Sequence, residues 1–417
     1  MSNQSRKNAV LFTLGTLAVT RPGYIMEKVP FANQCSRLYF FASVFVLLVI
    51  LFRKFTTSTA KSILKIAIPV ALYLWLSLRT IIAHGAVAEM LYRLLYYSYC
   101  LLFATFGMKK DPKTFLRSVR NVLFVLVVLN TVSIILKPDG LYSIAMMTGE
   151  DDTRYWFLGF KNGIGKYCVF LITIGGAYHV LTKKAKDFFI LYISFAVSVI
   201  STVMIESSGG LVGVCLSFLI ALFVRKTKNS GIMSMARMRN YAIVITFIFA
   251  TVVLTTSLLT NPLVVYFVTE VLGEKITLSG RLPIWAAVLR IVSQHFIGGV
   301  GSLGGKANAR LIGQTDNTVD AHDYYLEFLL EGGIIAFTLL VLFFLQMTRQ
   351  LDKYRKNDAV AILAGGLFTL MMILIVENCN NDFMWIFFGI CLSAEEIERE
   401  RLKMPLDVVL EKVGLRR

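Results

Sequence analysis

The run VDAHDYYLEFLLEGG, from Val319 to Gly333, sets His322 between Asp320 and Asp323 just ahead of a long apolar stretch. Histidine exchanges a proton near neutral pH, which suits a general base for a hydroxyl nucleophile, and either aspartate could orient its imidazole. Two plainer readings stand beside that one. A loop histidine can be merely solvated, and Asp316, Asp320, His322 and Asp323 of DNTVDAHD make an oxygen-rich set that a hard divalent cation would accept. Upstream lies TLSGRLPIWAAVLRIVSQHFIGGVGSLGG, in which Ser279 reads as a cap and Pro283 suits a first helical turn. Ile284 to Ile297 mix apolar and polar residues at helical spacing until Gly298, Gly299 and Gly301 end the pattern. The segment therefore reads as an amphipathic helix lying along a membrane surface. Arg281 stands at its start, where free N–H groups and the helix dipole favour an anion, and its planar fork matches diphosphate oxygens. The competing reading is an arginine snorkelling to lipid headgroups. Arg290 falls half a turn out of phase with Arg281, so the two do not share one helix face.

The elements that must hold these residues are spelled out by composition. The chain has 417 residues, 56% hydrophobic and 17% charged, with a mean hydropathy of +0.67. There are about twelve runs long enough to cross a bilayer. They lie near 9–26, 38–52, 62–82, 87–108, 115–136, 164–182, 188–205, 209–224, 239–259, 333–348, 359–376 and 383–395. Lipid offers the backbone no hydrogen-bond partner, and runs this long without period-two alternation are helices rather than barrel strands. The first run contains Arg21-Pro22-Gly23, which softens its boundary, and no small-residue cleavage site follows it, so it reads as retained.

The net charge of +17 raises a nucleic-acid reading that its distribution opposes. With a cytoplasmic N-terminus, the clusters FRKF, MKKDPK, LTKKAK, VRKTK and DKYRKND all fall in alternate, inner loops. That bias is the one that orients membrane proteins, and it places both termini inside and no nucleic acid among the partners. The chain then divides into nine spans over 1–259, a large outer loop over 260–332, and three spans with a cytoplasmic tail over 333–417. A second outer loop occupies 137–163, and an inner loop at 225–239 is simply basic. Long structured loops are commonly functional. The six cysteines follow no metal-ligand spacing, although Cys35 and Cys379 could both face outward and pair. No internal repeat, Walker loop or dinucleotide fingerprint is present, which argues against an ATP-driven pump.

The order SGRLPIW, GGVG, AHDYYLEFLLEGGI, set between a late pair of spans, resembles the signature of the O-antigen ligase and polymerase family, the Wzy-type polymerases and WaaL-type ligases. The resemblance covers roughly residues 275–335 together with the span pattern. It implies an all-α, GT-C-like glycosyltransferase of about twelve spans in the bacterial cytoplasmic membrane, its large outer loop between the ninth and tenth. The substrates would be oligosaccharides on undecaprenyl diphosphate, with an acceptor hydroxyl attacking the donor's anomeric carbon and lipid diphosphate leaving. His322 would activate the acceptor, and Arg281 would bind the diphosphate and stabilise its developing charge. The resemblance implies neither metal nor cofactor. Its implied neighbours, besides membrane lipid, are the chain-length regulator and flippase of one pathway.

One departure matters. Ligases of this family often open a mid-chain span with a Ser-Arg-Gly-like sequence, whereas the comparable place here reads ESSGGLVG, with Gly209 and Gly210 and no arginine. Arg154, Lys161 and Lys166 around TRYWFLGFKNGIGKY, Arg290, and Arg93 inside EMLYRLLYYSYC are the cations able to substitute. Arg93 has a plainer alternative, pairing with Glu89 one helical turn away. The missing arginine leans the reading from ligase toward polymerase. A flippase or carrier for the same glycans would also suit such a bundle, but it should show broken helices at matching places in two halves, and no such symmetry is legible. A structural membrane subunit is the third reading.

Overall fold

The computed structural model describes residues 3–53, 60, 63–144, 153–226, 266, 270, 281–312, 321–377 and 383–412. The ninth apolar run, the basic loop beyond 226, Ser279, Asp316, Asp320 and the Cys379 half of the proposed disulfide lie outside the described residues. Within them, five helices are long and apolar enough to cross a membrane and five more are shorter and apolar. The molecule is an all-α polytopic membrane protein.

In chain order the elements are α1 (Asn3–Leu17), α2 (Gly23–Lys28), α3 (Ala32–Arg53), α4 (Ala67–Ile82), α5 (Val87–Lys110) and α6 (Pro112–Leu136), then strands β1 (Tyr142–Ile144), β2 (Thr153–Trp156) and β3 (Gly159–Phe160). There follow α7 (Lys161–Thr182), α8 (Ala185–Met204), α9 (Ser208–Lys226), α10 (Arg281–Gln294), α11 (Gly305–Ile312), α12 (Tyr324–Lys353), α13 (Asp358–Ile373), α14 (Phe383–Leu392) and α15 (Ala394–Lys412). The first apolar run is not one helix. It is divided into α1 and α2 ahead of Pro22, whose φ of −58° and ψ of 125° are extended rather than helical. The strands form one antiparallel sheet in the order β1-β2-β3 within the segment that reads from the sequence as the 137–163 outer loop.

Helix α7 is the axis of the bundle. Of its apolar window 89% is buried, against 11% for α3, and a helix apolar on every side belongs in the interior. Its small residues let neighbours approach closely, as small residues do between membrane helices. A methyl on Gly176 would sit 3.0 Å from the Ala221 Cβ of α9, and one on Gly165 would sit 2.7 Å from the Gly210 Cα. A second knot is aromatic. Trp385 of α14 stacks on Tyr97 of α5 at 4.6 Å and on Phe343 of α12 at 5.8 Å, with Tyr73 of α4 edge-on at 5.4 Å. Four helices thereby share one desolvated indole.

The helices run alternately up and down. The turns joining α5 to α6, α7 to α8 and α12 to α13 gather at one end and carry MKKDPK, LTKKAK and DKYRKND. At that end Pro112 opens α6 with Asp111 as its cap, accepting from the Thr114 N–H at 3.1 Å. Below it Arg120, 4% exposed, and Asp187, 7% exposed, are paired at 2.8 Å. The Thr182 hydroxyl donates to the other carboxylate oxygen at 2.8 Å, and the guanidinium lies over the Tyr178 ring at 4.5 Å.

Asp187→Ala strands this guanidinium in the interior and is expected to cost about 3–5 kcal/mol. A lowered melting temperature of the solubilised protein is the readout. Replacing both partners, Arg120→Met with Asp187→Leu, is expected to recover most of the loss, because no charge is then left buried alone.

Candidate functional site

The other end of the bundle holds the histidine motif. His322 is half-buried and takes a left-handed φ of 48°, uncommon for a residue with a side chain. Local contacts hold it there. Asp323, fully buried, caps α12 with Oδ1, accepting from the Tyr325 and Leu326 N–H groups at 2.8 Å each. One turn into the helix, Glu327 Oε2 accepts the Ala321 N–H at 2.8 Å. The Ala321 carbonyl in turn accepts the indole N–H of Trp285 at 3.0 Å. Both flanks of His322 are thus fastened, and the Asp323 oxygen that caps the helix is committed to backbone rather than to an imidazole.

Trp285 is 1% exposed and lies one helical turn after Arg281 on α10. Ile284, Trp285, Val288, Ile291 and Val292 of that helix are buried, while Ala286, Arg290 and Ser293 are exposed, so α10 packs an apolar stripe against α12. This hydrogen bond brings the GRLPIW and AHDYYLEF motifs side by side.

After α10 the chain crosses α12 at its kink. Gly333 has φ 64° and ψ −162°, which interrupts the helix between Gly332 and Ile334. The segment 296–302 lies in that break. Val300 N donates to Leu330 O, Gly301 N to Glu331 O, and Ile334 N to Phe296 O, each at 2.8 Å. Gly299, at φ 69°, permits the crossing, since a methyl there would lie 2.5 Å from Gly332 N. Helix α4 clamps the strap. Arg79 of α4 forks onto the Gly298 and Gly299 carbonyls at 2.8 Å each, and Trp75 donates to the Gly332 carbonyl at 2.8 Å. Thr80 accepts the Ser302 N–H at 3.0 Å.

The remaining sequence candidates are distributed unevenly around this group. Arg93 pairs with Glu89 at 2.6 Å, and its other nitrogen faces the buried Glu331 of the kink at 3.8 Å. It therefore adjoins the motif, and local pairing with Glu89 is only half of its environment. Lys161 and the buried Lys166 open α7, whose Asn162 donates to Glu377 at 2.9 Å. Glu377 follows Leu374, whose carbonyl accepts the Tyr324 N–H at 3.0 Å, so that end of α7 borders the histidine helix. Lys166 also succeeds Gly165, the residue lying against Gly210 of ESSGGLVG. Arg154 sits on β2, largely exposed and 3.5 Å from Asp139, with no contact to the motif among the described residues. Arg290 is exposed on α10. Arg281 begins α10 by its backbone, and its side chain lies outside the described residues, as do Asp316 and Asp320 of the oxygen-rich set. Sequence reasoning missed Arg79, Trp75, Glu327 and Glu331; Glu331 alone had a local signal, a carboxylate inside an apolar stretch.

Trp285→Phe keeps an aromatic ring but deletes the donor to Ala321 and part of the buried indole volume. It is expected to leave the protein in the membrane, destabilise it by about 1–3 kcal/mol, and lower turnover more than substrate affinity. Steady-state kinetics separate the two terms. Asp323→Asn retains a capping oxygen and is expected to melt close to the parent, whereas Asp323→Ala should lose about 0.5–2 kcal/mol of helix capping.

Residues 193–341 match the family described as O-antigen ligase. The match runs from α8 to the first half of α12 and takes in the arginine helix, the glycine strap, His322 and the kink. No curated protein gives a match. By that match, and by the signature within it, residues 193–341 are similar to the O-antigen ligase family.

Proposed function

We propose that the protein is a polymerase of undecaprenyl-diphosphate-linked oligosaccharide repeat units, working on the outer face of the bacterial cytoplasmic membrane for capsule or O-antigen. The observation carrying this reading is the hydrogen bond from Trp285 to Ala321, which docks the start of the arginine helix against the histidine turn. An acceptor hydroxyl is a weak nucleophile at neutral pH. His322 takes its proton as the oxygen attacks the donor's anomeric carbon, and the bond to lipid diphosphate breaks with its electrons leaving on phosphate. Arg281, at a helix start, meets that charge with a planar fork. Lys166 is the best placed second cation, because α7 carries it beside Gly210, where ligases of the family carry arginine. Arg93 is held by two carboxylates and adjusts the kink instead.

The gathering of MKKDPK, LTKKAK and DKYRKND at the end away from His322 supports an outward-facing site with cytoplasmic termini. A ligase that passes finished glycan to another acceptor is the second reading, favoured by the description of the matched family. Surface polysaccharide from cells lacking the protein distinguishes them. Single repeat units are expected for a polymerase, and full-length chains missing their anchor would mark a ligase.

His322→Ala is expected to reproduce the deletion phenotype while the protein stays in the membrane, since positioned proton removal supplies about 10²–10⁴-fold in rate. Arg281→Lys keeps charge without the fork and is expected to lose most activity. Purified protein assayed with lipid-linked repeat units is the direct measurement, and parent-like turnover by His322→Ala would overturn the chemistry.

A further inference from the structure

A cationic cleft opens at the end of the bundle away from His322. Val87 of α5 adjoins the strap, since Ala86 N donates to Ser302 O at 2.8 Å. The 24 residues of α5 rise about 36 Å at helical pitch before the chain turns at Asp111. Around that turn two adjoining lobes share Arg117, Tyr178 and Lys184. One has a volume of about 430 Å³ and adds Arg120, Lys186 and Asp187 to its wall. The other, about 340 Å³, adds Asp111 and Lys113.

Positive charge is in excess. Arg120 and Asp187 neutralise each other at 2.8 Å, Lys113 meets Glu400 at 3.0 Å, and Asp111 serves as a helix cap. Arg117, which shares a hydrogen bond with Tyr178, remains with Lys184 and Lys186 around the mouth. The lower wall has a different character. Ala9 and Thr13 of α1 face Ile190 of α8 there, and Val10 and Phe189 beside them are 60% and 65% exposed. Cations at the level of the helix ends, over a slot where Ala9 and Ile190 adjoin Thr13 and the exposed Val10 and Phe189, match a molecule that is anionic at one end and apolar at the other. A soluble phosphate or nucleotide would use the mouth and leave the slot idle.

We propose that this cleft seats the phosphate headgroup of an anionic phospholipid, from the leaflet opposite the one His322 faces, with an acyl chain against Ala9, Thr13 and Ile190. Basic pockets between membrane helices recognise such headgroups through charge and hydrogen bonds together. The bound lipid would fasten α1, a helix at the edge of the bundle, to α6 and α8. The inference does not depend on the glycosyl-transfer reading.

The full chain is purified in neutral detergent and titrated with phosphatidylglycerol, with phosphatidylcholine of the same chains, and with inorganic phosphate. Retained lipid is counted by native mass spectrometry, and melting temperature is followed in parallel. Phosphatidylglycerol is expected to be retained and to raise the melting temperature, with phosphatidylcholine and phosphate doing neither. Lys184→Gln with Lys186→Gln, both exposed positions, is expected to weaken phosphatidylglycerol retention about 25-fold, at roughly fivefold per basic residue. Arg355→Gln with Lys356→Gln removes equal charge outside the cleft and is expected to change retention less than threefold. Equal retention of both lipids, equal loss in the two double variants, or full competition by millimolar phosphate would each overturn the proposal.

Discussion

Everything at the His322 end depends on two backbones crossing with no side chain between them. The strap at Gly298–Gly301 lies in the break of α12 at Glu331–Gly333, and the three 2.8 Å hydrogen bonds across it consume N–H and carbonyl groups that a kinked helix would otherwise leave open. In a membrane such groups have no water to turn to, so a kink is tolerated only where protein satisfies it. The kink and the strap are therefore each other's condition. Because α10 precedes the strap and His322 precedes the kink, the crossing also sets how far Arg281 can lie from the histidine. Arg79 and Trp75 extend the same logic outward, tying α4 to carbonyls on both strands of the crossing.

Much of this was legible in the amino-acid order, for reasons that differ by element. Apolar runs announce membrane helices because lipid leaves the backbone no other choice, and the basic clusters announced the end at which the turns gather. Gly332-Gly333 read as the end of a short helix from Asp323, where the structure has a kink within α12, and Pro22 divided the first run where the sequence already looked soft. By sequence Asp323 reads as an imidazole partner or a metal ligand, which misses its role as a cap; the structure commits Oδ1 to the start of α12. The contacts of Arg79 were beyond reach, since it meets carbonyls 219 and 220 residues away and nothing local announces them. Glu331 did carry a local signal, a carboxylate in an apolar stretch, but its partner Arg93 already had a nearer carboxylate in Glu89 to explain it.

The two ends of the bundle solve opposite electrostatic problems. Near His322 the carboxylates Asp323, Glu327 and Glu331 are buried and turned to backbone groups or to Arg93, which arranges the turn while keeping their charge out of the open site. At the far end Asp187 pairs with Arg120, Glu400 lies between Lys113 and Lys403, and cations outnumber carboxylates around the cleft, which suits a surface that meets lipid headgroups. Charge at one end is spent on geometry, and at the other it is left available.

The absent mid-chain arginine can be placed in the same physical terms. Gly165 and Gly210 lie close enough that a methyl on Gly165 would approach the Gly210 Cα to 2.7 Å, so a long side chain in that contact would force α7 and α9 apart. Close packing thus excludes a side chain at Gly165 or Gly210, though not at Gly209, where an added Cβ meets nothing within 4 Å. Lys166, one residue along α7, keeps a positive charge in the neighbourhood without widening the contact. Its side chain is 3% exposed, and a charge that deep requires partners already in place. A lysine presents a point charge where arginine presents a fork, so a phosphate met there would be held by attraction rather than by bidentate geometry. On the proposed glycosyl-transfer reading, that difference assigns the orientation of a diphosphate to the arginine helix, on the far side of the Trp285 hydrogen bond.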